Sequence, residues 1–173
     1  MDLAAAATFL VEGAESDLMA RPPRDPRVPF MNRGMVGSIF GSAAGLFAAV
    51  SVAYLVTWYS GAALAVAQTV AFVTWLLGHV LLAFNLRSER EPLLRLGLFS
   101  NRLMIAWAAV TVAFVLFATL VPAVHSVLRT ETLSAGQWGL AIGMAAAGAF
   151  WIEARKWLTP RSPATGLPDL RPS

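Results

Sequence analysis

The chain has 173 residues, of which 57% are apolar and only 13% are charged, and its formal net charge is +3. This composition is far more apolar than that of soluble globular domains and is typical of membrane proteins. Because the sequence contains no cysteine, it excludes a disulfide scaffold, a thiolate metal site and a cysteine nucleophile.

The first 33 residues predict a partial helix followed by a linker rich in proline and arginine. The stretch begins with Met1 and Asp2, where a secretory signal needs positive charge, and its apolar run is too short to span a bilayer. Four prolines then lie within residues 22–29. Since proline fixes φ and restrains the residue before it, this segment is expected to be extended.

Four apolar segments follow, and each approaches the roughly 20 residues that a helix needs to cross the hydrocarbon core. The fold class predicted is therefore all-α, a four-helix polytopic membrane bundle occupying residues 34–158. The proline-rich tail at 159–173 is expected to be disordered and cytoplasmic. The four predicted spans cover residues 34–59, 62–84, 103–124 and 137–158.

The basic residues are distributed unevenly among the connections between these spans. Twelve of the thirteen precede the first span, follow the second, or lie at and beyond the end of the fourth, and Arg129 is the exception. The positive-inside rule then predicts a multi-pass protein of the cell membrane, with both termini and the middle loop in the cytoplasm. Because the arginines are spread over three segments and do not form one patch, nucleic acid is not an expected partner, whereas the lipid bilayer is.

Glycines four residues apart mark candidate packing faces, because small residues allow helix backbones in lipid to approach closely. Two interpretations stay open: docking against helices of another subunit, and packing within the four-helix set. The candidate positions are Gly37, Gly41 and Gly45 in the first span and Gly139 and Gly143 in the fourth.

His79 is an ionisable residue predicted to lie inside the second span, where such residues are costly. It could bind or relay a cation, or it could donate a hydrogen bond to a carbonyl of a neighbouring helix. The sequence has no glycine-rich phosphate loop and no His, Asp and Glu cluster with metal spacing, and no cofactor is expected.

The stretch AFNLRSEREPLLRLGLFSNR, residues 83–102, resembles the cytoplasmic loop between the eighth and ninth membrane helices of P-type cation-transporting ATPases. DLMARPPRDP, residues 17–26, resembles the loop between their sixth and seventh helices. LSAGQWGLAIGMAAAGAFWIEARKWL, residues 133–158, resembles the entry to their tenth helix and the helix itself. The resemblance runs from about residue 16 to residue 158 and implies the topology derived from the arginines.

This resemblance also points to two candidate cation ligands. His79 lies six residues before Asn85, where the family's eighth helix can place a carboxylate or amide ligand, and a neutral imidazole suits softer metals or a proton better than calcium. Asp2 falls where the sixth helix carries its principal cation-binding aspartate, although the family's neighbouring proline is missing. Both residues are candidates for a metal site.

The 173 residues contain no DKTGT, TGES or GDGxND string, so phosphoryl transfer by this chain alone is excluded and it is not expected to be an enzyme on its own. The first hypothesis is a membrane module that supports cation transport as part of a split pump, or a remnant of one. The alternative is an accessory scaffold that binds a pump or another membrane partner without moving ions. A third hypothesis is that a homo-oligomer of the chain conducts ions or protons along a path beside His79.

Overall fold

The structure is a computed structural model that describes residues 2–10, 33–87 and 100–158. The side chains of residues 2–4, 33–34 and 152–158 are not described. The predictions of an extended linker, of a cytoplasmic loop over residues 88–99 and of a disordered tail lie outside the described residues.

The described part of the chain is helical and contains no strand, which confirms the all-α fold class. Its helices are α1 Asp2–Phe9, α2 Arg33–Tyr59, α3 Leu64–Asn85, α4 Arg102–Leu120, α5 Pro122–Leu128 and α6 Ala135–Leu158.

Three helices are long and apolar enough to cross a membrane: α2 from Met35, α3, and α4. They correspond to the first three predicted spans. The fourth predicted segment is also helical, as the 24-residue α6, and its crossing of the membrane stays a prediction.

The third predicted span differs most in its boundary, because the helix expected to reach residue 124 is interrupted at Val121. Val121 has φ −96° and ψ 108°, which is extended backbone, and Pro122 opens the separate helix α5. Since proline disfavours α conformation in the residue before it, the break follows directly from this pair. The amide of Val121 still donates to the carbonyl of Phe117 over 3.2 Å and so closes the last turn of α4.

Helix α3 lies at the centre of the bundle and packs against α2, α4 and α6. A turn at residues 60–63 joins α2 to α3, and Gly61 within it has φ 87°, a conformation that glycine adopts without steric cost. The buried core therefore draws residues from these four helices and from the loop before α6: Ala53, Val70, Val73, Leu76, Val115, Leu133 and Ala141.

Hydrogen bonds hold the loop before α6 at one end of this core. The amide of Glu131 donates to Oγ1 of Thr69 over 3.0 Å, which ties the loop to the first turns of α3. Thr130 Oγ1 donates to the carbonyl of Ala118 in α4. These bonds satisfy buried polar groups that would be costly to leave unpaired.

Candidate cation site and the helix contacts around it

His79 lies in the last third of α3 and is half-buried. Its ring meets that of Trp75, one turn earlier, edge to face, with ring centroids 5.7 Å apart and planes at 66°. Both residues line a cavity of about 600 Å³ between α2 and α3. The structure therefore places this histidine on a groove between two helices and not in the central core.

The cavity has mostly apolar walls with a short polar edge on α2. Ser38 and Ser42 contribute that edge, and the Ser42 hydroxyl donates to the Ser38 carbonyl over 2.7 Å. Among the described residues that line the cavity, His79 is the ionisable one. An apolar cavity with one imidazole on its wall offers a nitrogen ligand of the kind that softer cations prefer.

Asp2 is the first residue of α1, and its side chain is not described. Helix α1 packs against α4, and its Ala5 belongs to a buried cluster with Val80 and Ala83 of α3 and Trp107 of α4. Within residues 2–10, 33–87 and 100–158, no group of three or more His, Cys, Asp or Glu residues could hold a metal ion.

Of the candidate packing glycines, Gly41 and Gly45 of α2 face α6. A Cβ added to Gly41 would lie 3.1 Å from Cη2 of Trp151, and one added to Gly45 would collide with Nε1 of the same ring. The glycines thus provide the space that Trp151 occupies.

The other three candidate glycines occupy more open positions. A Cβ added to Gly37, Gly139 or Gly143 would meet nothing within 4 Å in the described residues, and a packing role for them stays a prediction. A close approach of the α2 and α6 backbones also involves Gly148 of α6, where an added Cβ would lie 2.8 Å from the Cβ of Ala49 and 3.2 Å from the Gly45 carbonyl oxygen.

Asn85, the last residue of α3, ties that helix to α6. Its side chain is 1% exposed, and Nδ2 donates to the carbonyl of Ala149 over 2.9 Å. Ala149 directly follows Gly148, so the close backbone approach of α2 and the hydrogen bond from α3 meet α6 at neighbouring residues. Helices α2, α3 and α6 are therefore in contact with one another near Gly148 and Ala149.

Comparison with known proteins identifies the family of the chain. Residues 1–158 match the family model described as "Cation transporting ATPase, C-terminus". The chain belongs to this family. The match confirms the resemblance to the C-terminal membrane domain of P-type ATPases, and the helices α1 to α6 all fall within it.

Individual relatives agree with this assignment. The chain is 28% identical over 139 residues to a "Calcium-transporting ATPase" of Bacillus subtilis, which covers 80% of the chain and 16% of the relative. It is 33% identical over 152 residues to "Putative calcium-transporting ATPase 13, plasma membrane-type" of Arabidopsis thaliana, covering 85% and 14%. It is 30% identical over 129 residues to "Probable cation-transporting ATPase F" of Mycobacterium tuberculosis, covering 73% and 14%. The chain thus spans about a sixth or less of the length of these curated relatives.

The spacing of the glycines did not identify Gly148 as a packing residue. Gly143 and Gly148 are five residues apart, which breaks the four-residue spacing on which the glycine argument relied. In a helix that is apolar on all sides, spacing alone does not identify the face that meets a neighbour.

Proposed function

We propose that this chain supports cation transport by supplying the C-terminal membrane helices of a P-type pump, as part of a split pump. The match of residues 1–158 to the C-terminal family segment carries the proposal. Since the 173 residues contain no DKTGT, TGES or GDGxND string, the phosphorylated aspartate and the nucleotide-binding groups would come from protein outside these residues.

The proposed orientation in the plasma membrane places the arginine-rich connections in the cytoplasm. The bias of twelve basic residues against Arg129 supports it. The end of the bundle that holds Asn85 would then face the cytoplasm, and the turn at Ser60 would face outward.

The orientation can be tested with single cysteines, since the natural chain has none. Ser60→Cys, at an exposed position in the α2–α3 turn, is expected to react with a membrane-impermeant maleimide on intact cells. Ser88→Cys, in the arginine-rich loop, is expected to react only after the membrane is opened. The reverse pattern would contradict the orientation.

His79 is proposed as one cation-interacting group of the pump, with Asp2 as a second on the neighbouring helix. The cavity beside His79, in which it is the ionisable residue among the described lining, supports this proposal. Further ligands would come from the rest of the pump.

Replacing His79 by alanine is expected to raise the cation concentration that half-activates ATP hydrolysis by at least about tenfold, because even supporting partners of a metal ligand cost that much when removed. His125→Ala is the matched control, since the second histidine of the chain lies on α5, away from the cavity. Equal effects of the two substitutions, or none from His79→Ala, would remove His79 from the site.

Co-purification tests the proposed function itself. The chain, tagged at its C-terminus, is recovered from its native membrane in mild detergent, and vanadate-sensitive, cation-stimulated ATP hydrolysis is measured in the eluate. We expect a partner with a DKTGT motif in fixed stoichiometry, and ATP hydrolysis that depends on the cation.

Two results would contradict the proposal. A chain recovered alone or as a homo-oligomer, without activity, would leave a remnant or a scaffold. A chain recovered with an intact pump that is equally active without it would favour the accessory role.

A further inference from the structure

Asn101, the residue before α4, uses both ends of its side-chain amide. The side chain is 4% exposed. Its Oδ1 accepts from the amide of Met104 over 3.0 Å and so caps the N-terminus of α4. Its Nδ2 donates to the carbonyl of Thr8, near the C-terminal end of α1, over 2.9 Å. One buried side chain therefore begins one helix and holds the end of another.

Helix α1 depends on contacts with the bundle for its position. It has eight residues, far fewer than a helix needs to be stable alone. Among its residues whose side chains are described, Ala5 and Thr8 are buried, at 8% and 1% exposure, and both are small side chains that bury little apolar surface. Trp107 lies in the same buried cluster as Ala5. Its buried Nε1 has no hydrogen-bond partner among the described residues, so the indole adds no second hydrogen bond to α1.

The segment that carries Asn101 is itself held by α3. Arg87, 7% exposed and two residues beyond the end of α3, donates through Nη2 to Oγ of Ser100 over 2.5 Å. Ser100 precedes Asn101, so adjacent residues are bonded to Arg87 just beyond α3 on one side and to α1 on the other. A displacement of α1 relative to α3 must stretch or break this chain of contacts.

We propose that Asn101 is a positioning residue whose amide fixes α1 against α3 and α4, and so sets the register of Asp2 relative to His79 along the bundle. Asp2 lies six residues before Thr8 on the same helix, about 9 Å by helical rise. Because both residues lie on α1, a shift of Thr8 along α4 moves Asp2 by a similar distance. The statement about Asp2 and His79 rests on the proposed function, whereas the tether itself does not.

Two substitutions separate the cap from the tether. Asn101→Ser and Asn101→Asp both keep an oxygen that caps α4, since serine, aspartate and asparagine are similarly good N-caps. Neither keeps the N–H that bonds Thr8, and the carboxylate of the aspartate variant would place negative charge beside the partial negative charge of the Thr8 carbonyl oxygen. Both variants should thus leave α4 intact and release α1.

Release is measured by the reactivity of Ala5→Cys in this otherwise cysteine-free chain in its membrane, using N-ethylmaleimide. Ala5 is 8% exposed, and the thiol reacts as a thiolate that needs access to water. We expect both Asn101 variants to raise the labelling rate about tenfold, the result of losing about 1.4 kcal/mol. Ala53→Cys, in the core between α2 and α3 at 0% exposure, is the control and should be unchanged.

Unchanged labelling of Ala5→Cys would overturn the tether. Equal increases at Ala5→Cys and Ala53→Cys would also overturn it, because a tether specific to α1 leaves the main core closed.

The positioning role is tested in the co-purified pump with calcium as the probe. Asn101→Ser is expected to raise the half-activating calcium concentration about tenfold and to change the maximal rate less than about twofold.

Faster labelling with an unchanged calcium dependence would leave Asn101 a structural tether and overturn its positioning role. A wild-type preparation without cation-stimulated hydrolysis would overturn the proposed function and the statement about Asp2, while the labelling would still decide the tether.

Discussion

Replacing Gly148 by alanine is expected to destabilise the helix bundle by about 1–3 kcal/mol, the usual cost of forcing an extra methyl group into a packed interior. The new Cβ would lie 2.8 Å from the Cβ of Ala49, 3.2 Å from the Gly45 carbonyl oxygen and 3.4 Å from the Cα of Leu46. Two of these three atoms belong to the α2 backbone, which cannot move aside as the end of a side chain could. Helices α2 and α6 must therefore separate.

Gly143→Ala is the matched control on the same helix. A Cβ there would meet nothing within 4 Å in the described residues, and alanine in a helix interior is favoured over glycine by about 0.5–1 kcal/mol. The two substitutions should therefore shift stability in opposite directions when unfolding is followed by denaturant titration in mixed micelles. If both stabilise the bundle, the contact between α2 and α6 is looser than described.

Replacing Asn85 by alanine is expected to cost about 1–3 kcal/mol, because it removes a buried hydrogen bond between helices and leaves the Ala149 carbonyl without that donor. The lost bond is the 2.9 Å contact from Nδ2 to the Ala149 carbonyl, made by a side chain that is 1% exposed. Gln68→Ala is the control, since Gln68 is an exposed polar residue on the same helix. The same denaturant titration measures both variants, and equal effects would show that the Asn85 bond adds nothing specific.

The two substitutions should also be coupled. Asn85 bonds to Ala149, and Gly148 is its neighbour, so a displacement of α6 by a methyl group at 148 also weakens the bond to 149. The double variant is then expected to lose less stability than the sum of the single losses, by about 0.5 kcal/mol or more. Strict additivity would mean that the two contacts are independent.

Helix positions were largely predictable from the sequence, because long apolar runs leave few alternatives in a membrane protein. The predicted spans at 34–59 and 62–84 correspond to α2 Arg33–Tyr59 and α3 Leu64–Asn85. The third boundary failed because segment length was given more weight than the restraint that Pro122 places on Val121.

Contacts between helices were much less predictable. In a soluble helix, polar residues mark the outer face, but here lipid and protein neighbours are both apolar, so no stripe separates buried from exposed sides. Gly41 and Gly45 meet α6, whereas Gly143, with the same spacing, meets nothing in the described part. Spacing identifies residues that permit close approach, and the neighbouring helix decides which of them are used.

The candidate site shows the same limit. His79 could be singled out as an ionisable residue in an apolar segment, and its place on the cavity between α2 and α3 depends on how those helices pack. Asn101 gave a local signal, since asparagine before a helix is a common N-cap. That its amide reaches Thr8, 93 positions away in the chain, depends on the tertiary fold.

ATP-driven cation uptake by inverted membrane vesicles tests the central claim most directly. Vesicles from cells that lack the chain are compared with vesicles from cells that again produce either the natural chain or the Gly148→Ala variant in equal amounts. The account predicts that vanadate-sensitive uptake is lost without the chain, restored by the natural sequence and reduced with the variant. Equal uptake in all of these vesicles would contradict a role for these helices in cation transport.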